Sequence, residues 1–201
     1  MSGEEMRTLI FATRNAGKVR EMEALLAGSG WSLERLPEEI GEATETGATF
    51  AANAREKALF AAARLPYPVL ADDSGLQIDA LGGEPGVRSA RYIDPDLAPA
   101  ARNRAVLDKL REVPDAQRTA RFVCHLVLAH DGAVVHEVTG TCKGTIARQP
   151  RGNGGFGYDP IFVVPELGRT FAEISREEKS SRSHRGVAAR AMAAFLRDWR
   201  P

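Results

Sequence analysis

The sequence predicts an α/β protein with a central mixed β-sheet, and three observations support that class. Short apolar runs typical of buried strands alternate with segments of helical periodicity through the first part of the chain. Two long strand-like segments follow and meet at Asp131-Gly132, a dipeptide typical of an antiparallel hairpin turn. No internal repeat, low-complexity tract or linker divides the 201 residues. We therefore expect a single domain over residues 1–201, with helices flanking a sheet of parallel and antiparallel strands.

The individual elements follow from local patterns. In LIFATRNAGKVREMEALL, a strand-like apolar run gives way to apolar residues at helical spacing. The segment SGLQIDALGGEPGVRSARY holds too many glycines for a helix and predicts a short strand and turns. The predicted strands and helices, in chain order, are a strand at about 7–12, a helix at 17–28, a weak strand at 32–36, a helix at 49–64, a strand at PVLAD, a helix at 98–112, the two hairpin strands, a strand at PIFVV and a helix at about 183–199.

Composition excludes several classes of protein. The 27 basic and 27 acidic residues give a formal net charge of zero, which argues against a general binder of nucleic acid. Cys124 and Cys142 have no partner motif, as expected for buried thiols in a reducing compartment. The N-terminal stretch MSGEEMRTLIF has too short an apolar run for a signal peptide, and no apolar span is long enough to cross a membrane. We expect a cytoplasmic protein with no membrane partner.

The turn TRNAGK, Thr13 to Lys18, joins the first strand to the first helix. Backbone N–H groups at a helix N-terminus attract anions, and Lys18 adds a positive charge there, so phosphate is the natural ligand. The turn matches neither GxxxxGK[ST] nor GxGxxG, the two standard phosphate-binding patterns. The alternative is a helix cap made by Asn15 or Thr13 beside a solvated lysine. At this point both interpretations stay open.

The motif ADDSG holds two adjacent aspartates at the expected end of a buried strand. Consecutive side chains of a strand point to opposite faces, so Asp72 and Asp73 cannot serve the same role. An aspartate at the end of a strand in an open α/β sheet is a frequent ligand or catalytic position. The alternative is a turn in which the Asp and Ser side chains bond the local backbone.

An acidic run that ends at Glu45 precedes the second helix. Taken alone, such a run predicts a solvated loop. Together with Asp73, however, a glutamate of this run, Glu38, Glu39, Glu42 or Glu45, would supply the pair of hard carboxylates typical of a magnesium site that is completed by substrate phosphates. On the helix that follows, Asn53 and Lys57 lie four residues apart and share a face. They would meet a phosphate chain or form an ordinary polar surface.

Two segments in the last third carry a second set of candidate residues. In PRGNGGFGYDP, closely spaced glycines alternate with Phe156 and Tyr158, which predicts a loop that approaches a flat ligand such as a purine, unless the loop is a plain connection. In SREEKSSRSHRG, Lys179, His184 and Arg185 are expected near the start of the last helix as donors to phosphate or to a base.

Five ordered motifs together resemble the inosine triphosphate pyrophosphatase family, the dITP/XTP pyrophosphatases of non-standard purine nucleoside triphosphates. The motifs are TRNAGKVRE, ETGATFAANAREKA, ADDSGLQIDALGGEPGVRSARY, GNGGFGYDPIF and EEKSSRSHRG. The resemblance implies an elongated two-lobed fold with the substrate cleft between the lobes, a homodimer and a requirement for Mg²⁺. It also implies hydrolysis of dITP, ITP and XTP to the monophosphate and pyrophosphate, which cleanses the nucleotide pool.

The resemblance also implies roles for particular residues. Asp73 matches the catalytic proton acceptor and a magnesium ligand. Glu45 matches the second magnesium ligand, although some members carry two glutamates where this chain has Thr44-Glu45. The residues that match substrate contacts are Thr13, Arg14, Asn15, Ala16, Gly17, Lys18, Lys57, Ser74, Phe156, Gly157, Tyr158, Asp159, Lys179, His184 and Arg185.

Two rival functions stay open beside the enzyme. A regulatory module that binds nucleotides would keep the glycine loop and the basic residues but would not need a metal-bound carboxylate. An RNA-binding protein would use the arginine-rich C-terminal third, yet its arginines are scattered and the net charge is zero.

Overall fold

The computed structural model describes residues 6–201. The expectation that the chain lacks a signal peptide rests partly on residues 1–5, which lie outside the described residues. Within the described part, none of the helices is both long enough and apolar enough to cross a membrane. The strands are Arg7–Phe11 (β1), Trp31–Arg35 (β2), Val69–Ile78 (β3), Thr119–His130 (β4), Ala133–Ile146 (β5), Phe162–Val164 (β6) and Arg169–Thr170 (β7). The helices are Ala16–Leu26 (α1), Phe50–Ala62 (α2), Pro99–Lys109 (α3), Arg176–Arg182 (α4) and His184–Asp198 (α5).

The seven strands form one mixed sheet in the order β2-β1-β3-β4-β5-β6-β7. β1 pairs in parallel with β2 and with β3, whereas β6 pairs in antiparallel fashion with β5 and β7. Asp131 and Gly132 both adopt positive φ angles, of 48° and 71°, as a tight hairpin turn requires. The predicted α/β class with a mixed sheet is confirmed, and so is the hairpin.

The chain divides into two compact units, and the first comprises the residues up to 73, 124–140 and the residues from 185 onward. Here helices cover both faces of the sheet. On one face, Leu9, Leu70 and Leu126 pack against α1 and α5. On the other face, Val69 and Ala71 pack against the alanine-rich side of α2. Each face removes a continuous apolar surface from water, which stabilises the layered arrangement.

The second unit comprises residues 74–123 and 141–184. Its core contains three phenylalanines, Phe122, Phe162 and Phe171, whose ring centroids lie 4.6–5.9 Å apart. Leu76 and Ile78, from the second half of β3, are buried in the same core. The expected cleft between two lobes stays a prediction.

One predicted boundary differs from the structure, and two short elements were not predicted. β3 does not end at ADDSG but continues to Ile78, because Leu76 and Ile78 have a buried core to enter. The helix expected at about 183–199 is confirmed as α5, but a separate short helix, α4, precedes it. A capping box between Ser175 and Glu178 starts α4, and Ser183 is extended and ends it. The two-residue strand β7 is too short to leave a recognisable pattern.

Candidate active site

β3 places two neighbouring carboxylates on opposite faces of the sheet. Asp73 lies on the same side as Val69 and Ala71 and contacts α2. Asp72 lies on the side of Leu70 and contacts side chains from α1 and α5. The predicted alternation is therefore confirmed. The expectation that these aspartates stand at the end of a strand is wrong, since both lie in its middle.

Asp73 belongs to a cluster that α2 organises. Asn53 Nδ2 donates to Asp73 Oδ2 over 3.0 Å, and Lys57 Nζ lies 3.6 Å from Asp73 Oδ1. The same Lys57 ammonium lies 2.8 Å from Glu45 Oε1. Asn53 and Lys57 thus share one helix face, as their spacing predicted. Two carboxylates, Glu45 and Asp73, converge on a single positive charge.

The loop that carries Glu45 is fastened to α2 at two points. Gly47 N donates to Asn53 Oδ1 over 2.8 Å, and the backbone and side chain of Thr46 both donate to Glu56. Thr49 caps the helix by accepting from Ala52 N. These bonds hold Glu45 at a fixed position beside Lys57. The alternative of a freely solvated acidic loop does not describe this residue.

Burial shapes the protonation of the cluster. Removal from water raises the pKa of Asp73 above its usual range, although Lys57 and the hydrogen bond from Asn53 oppose that rise. For Lys57, burial alone would lower the pKa, but Asp72, Asp73 and Glu45 outweigh it and raise the pKa overall. Lys57 therefore stays charged, and Asp73 is a better proton acceptor than an exposed aspartate.

The donor types suit a hard divalent cation. Carboxylate oxygens are the ligands that Mg²⁺ prefers, and it commonly takes only one or two of them from the protein. Among residues 6–201, no group of three or more His, Cys, Asp or Glu side chains is placed to hold a metal ion. A cation held by Glu45 and Asp73 would therefore need further oxygens from water or from a ligand.

Asp72 forms the second cluster, on the other face. Lys18 Nζ lies 3.0 Å from each of its carboxylate oxygens, and Arg185 Nη2 lies 3.3 Å from Oδ2. Arg185 Nη1 also donates to Glu21 over 2.6 Å. Burial works to raise the pKa of Asp72, but Lys18, Arg185 and Lys57 hold it well below its usual range. Lys18 is thus not the solvated lysine of the cap alternative.

The turn before α1 combines a helix cap with an anchor. Asn15 Oδ1 accepts from Gly17 N and Lys18 N over 2.9 and 3.2 Å, so it is the N-cap, and the helix begins at Ala16. Thr13 Oγ1 accepts from Asn15 N. The predicted helix cap by Asn15 is therefore confirmed. The N–H groups of Gly17 and Lys18 already donate to Asn15 Oδ1. Arg14 donates to the carbonyls of Leu36, Pro37 and Glu38 and so fastens the loop after β2.

In the second unit, Asp159 organises the loop that contains GFGYD. Its Oδ2 accepts from Phe156 N over 2.7 Å and lies 2.5 Å from Lys179 Nζ. The same ammonium lies 4.8 Å from the centre of the Phe156 ring. Tyr158 points into the core, where its hydroxyl donates to Ser89 O over 2.9 Å. Phe156, Asp159 and Lys179 therefore form one cluster, whereas the buried Tyr158 anchors the loop to the core.

The glycines of this loop are needed for its own geometry. At Gly155, where φ is +69°, a Cβ would lie 2.0 Å from Asp159 Oδ2. At Gly152, where φ is +80°, a Cβ would lie 2.4 Å from the Ala172 backbone. Only glycine tolerates both the positive φ and these approaches. The glycine density that suggested a flat ligand thus has a sufficient cause within the loop.

The remaining predicted residues lie as follows. Ser74 follows Asp73 on β3 and is partly buried. His184 is the first residue of α5, where its ring stacks on Phe122 at 4.6 Å. Lys179 lies within α4 and not at the start of the last helix. The first unit holds the predicted residues Thr13 to Lys18, Glu45, Lys57, Asp73 and Arg185, and the second holds Ser74, Phe156 to Asp159, Lys179 and His184.

Sequence reasoning assigned no role in the site to three residues that hold the predicted ones in place. Asp72 pairs with Lys18 and Arg185, Glu21 pairs with Arg185, and Asn103 Nδ2 donates to Gly157 O over 3.0 Å. Only Asp72 left a signal, because a charged residue amid a buried strand run requires a buried partner. Nothing local in the sequence distinguishes Glu21 or Asn103 from other polar residues on their helices.

Together, the mixed sheet and its clusters define an α/β protein with buried carboxylate–cation groups on both faces of one sheet. The sequence profile of the Ham1 family matches residues 9–195. The chain belongs to the Ham1 family, which confirms the resemblance drawn from the five motifs.

Similar proteins span nearly the whole chain. The dITP/XTP pyrophosphatase of Gloeobacter violaceus is 52% identical over 93% of this chain and 93% of that protein. The dITP/XTP pyrophosphatase of Geobacillus kaustophilus is 49% identical over 96% of this chain and 95% of that protein. Among solved structures, a HAM1 protein from Coxiella burnetii has a TM-score of 0.88 and 40% identity, covering 96% of this chain and all of that one.

Proposed function

We propose that this protein hydrolyses dITP, ITP and XTP to the nucleoside monophosphate and pyrophosphate, and so removes non-standard purines from the nucleotide pool. The observation that carries the proposal is the convergence of Glu45 and Asp73 on the Lys57 ammonium. Two carboxylates and a lysine suit a reaction centre at a phosphate anhydride, where a cation and a proton acceptor act together. The half-identical relatives that are named dITP/XTP pyrophosphatase support the choice of substrate.

Magnesium fits the residues at this centre. Glu45 and Asp73 would hold it, because these carboxylates already converge on one positive charge. When bound, the metal would neutralise charge on the phosphate oxygens. We include Mg²⁺ as the cofactor on this ground.

The side chains of the first unit would act on the triphosphate. Asp73, whose pKa burial raises, would accept a proton from the water that attacks the α-phosphorus. Lys57 and Lys18 would stabilise the negative charge of the departing pyrophosphate. Thr13 to Gly17 would contact the phosphates from the start of α1. We propose a homodimer in the cytoplasm as the working form, as the resemblance implies.

The second unit would supply most contacts to the base. Phe156 offers a ring face, Asp159 an acceptor, and Lys179 and His184 donors. With Ser74, Gly157, Tyr158 and Arg185 they complete the proposed substrate set. A donor that faces the 6-keto oxygen of hypoxanthine or xanthine would meet an amino group in adenine. Because the donor is then left unpaired, adenine should lose binding free energy on the order of a few kcal/mol relative to hypoxanthine.

The test is a turnover panel with purified protein. dITP, XTP, GTP and ATP are supplied at one Mg²⁺ concentration, and pyrophosphate, orthophosphate and the nucleotide products are measured. We expect equal amounts of pyrophosphate and dIMP from dITP, slow turnover of ATP, and loss of activity with a chelator. Tight binding of dITP without release of pyrophosphate would instead support the regulatory module.

A further inference from the structure

The buried Asp72 carboxylate lies where cations from two helices meet. Lys18 extends from α1 and reaches both carboxylate oxygens, and Arg185 extends from α5 and reaches Oδ2. The Asp72 side chain is 0% exposed and that of Arg185 is 3% exposed, whereas Lys18 keeps 15% of its side chain accessible. Of the three, Lys18 therefore exposes the largest fraction of its side chain to a ligand.

This arrangement restricts a flexible side chain. A lysine has a long side chain with many rotamers, and it retains this conformational freedom at an exposed helix start. Here both Asp72 oxygens lie 3.0 Å from Lys18 Nζ, so the ammonium is held at one place. An ammonium has three donors, and contact with one carboxylate leaves it able to donate to a phosphate oxygen as well.

We propose that Asp72 is a positioning residue, which orients Lys18 toward the departing pyrophosphate without touching the substrate itself. The inference rests on the proposed function, in which Lys18 contacts the phosphates. A phosphate group then meets a cation that is already ordered, and the entropy of ordering Lys18 is not lost on binding. The two aspartates thus have different roles on opposite faces of β3: Asp72 orders the Lys18 ammonium, and Asp73 accepts a proton.

The experiment measures binding of inorganic pyrophosphate in Mg²⁺ buffer by calorimetry, without turnover. Asp72→Asn and Lys18→Met should each raise the Kd of pyrophosphate about tenfold, which corresponds to roughly 1.4 kcal/mol. The double variant should bind no more weakly than Lys18→Met, because Asp72 acts through Lys18. Asp79→Asn is the matched control, since Asp79 bonds Thr119 and Arg121 and neither Lys18 nor Arg185, and its Kd should stay within about twofold of wild type.

Removing one member of a buried ion pair leaves an uncompensated charge and threatens folding. Asp72→Glu provides the second variant, because it keeps the charge and moves the carboxylate by one methylene. It should raise the Kd at least about threefold with Lys18 present and leave it unchanged in the Lys18→Met background. Thermal unfolding of each variant is recorded in parallel.

The outcomes separate this inference from the proposed function. If folded Asp72→Asn or Asp72→Glu binds pyrophosphate as wild type does, the positioning role is overturned. The same holds if their effect persists undiminished in the Lys18→Met background. Failure of wild type to release pyrophosphate from dITP would overturn the proposed function, and that assay uses no variant.

Discussion

At the scale of single residues, Asp72 and Asp73 show how environment separates two identical side chains. Burial raises the pKa of Asp73, and the Lys57 ammonium lies 3.6 Å from its carboxylate. Asp72 is more deeply buried, yet Lys18 and Arg185 hold its pKa low. A carboxylate held firmly in its ionised form is a poor proton acceptor, whereas one with a raised pKa is a better one. The chemistry therefore favours Asp73 as the base and Asp72 as a fixed negative charge.

Replacing Asp73 by Asn should lower kcat for dITP by about 10²- to 10⁴-fold, the usual contribution of a positioned base. The KM should change far less, because Asn retains the shape and still accepts from Asn53. Steady-state kinetics on dITP measure both constants. Asp79→Asn is the control, since Asp79 is 48% exposed and bonds Thr119 and Arg121, which are outside the proposed site. Turnover by Asp73→Asn at the wild-type rate would refute the assigned role.

At the scale of elements, the start of α1 and the glycine loop carry several of the candidate residues, and hydrogen bonds within each element set their local geometry. Asn15 caps α1 and so fixes where Lys18 leaves the helix. The Gly155 backbone lies against Asp159, which holds Phe156 and Lys179 together. A substitution in either place therefore tests a whole element rather than one contact.

Asn15 has a structural role that can be separated from its proposed contact with phosphate. Asn15→Ala should destabilise the protein by about 1 kcal/mol, the usual value of an N-cap. Asn15→Ser should restore most of that stability, because a serine hydroxyl also caps helices. We expect the KM for dITP to stay raised in Asn15→Ser, as its shorter side chain would not reach the phosphates. Recovery of both stability and KM would assign Asn15 to capping alone.

Gly155 and Gly157 form a matched pair for testing the loop. Both have positive φ, of +69° and +61°, but an added Cβ meets Asp159 only at Gly155. Gly157→Ala should therefore cost about 1 kcal/mol from backbone strain alone. Gly155→Ala should lower the free energy of unfolding by clearly more than Gly157→Ala does. It should also raise the KM for dITP, because Asp159 must move. Thermal unfolding and kinetics test this, and equal losses in the two variants would contradict it.

At the scale of the whole molecule, the sequence predicted what periodicity and turn chemistry encode. The α/β class, the hairpin at Asp131-Gly132 and the shared face of Asn53 and Lys57 all came from local spacing. The length of β3 could not be predicted in this way. Its last residues form a strand because Leu76 and Ile78 pack into the core of the second unit, which local spacing does not reveal.

The partners within the site could not be predicted for the same reason. Lys18 and Asp72 lie 54 residues apart, and Glu21 and Arg185 lie 164 apart. The alternation along β3 separated the two aspartates correctly. It gave no sign that Asp72 would meet residues of the candidate set, because that depends on which helix covers each face of the sheet. These ion pairs are set by tertiary packing, which local sequence patterns do not encode.

Acid should destabilise the whole protein through Asp72. A carboxyl group whose folded pKa is lowered contributes stability above its unfolded pKa, here about 3.8, and loses that contribution as the pH falls toward the folded value. At pH 7, Asp72→Asn should lose roughly 3–5 kcal/mol relative to wild type, as for other broken buried pairs. That difference should shrink steadily below pH 4, because the carboxyl of the unfolded wild-type chain then binds a proton that the folded protein excludes.

The control for this acid effect is Glu137→Gln. Arg55, through its hydrogen bonds, lowers the pKa of Glu137 to about 2, but the Glu137 side chain is 34% exposed. Its loss should therefore cost less than about 1 kcal/mol at any pH. Urea unfolding of the three proteins between pH 7 and pH 2 gives both differences. A gap between wild type and Asp72→Asn that stays constant down to pH 2 would mean that packing, rather than the charge of Asp72, accounts for the loss.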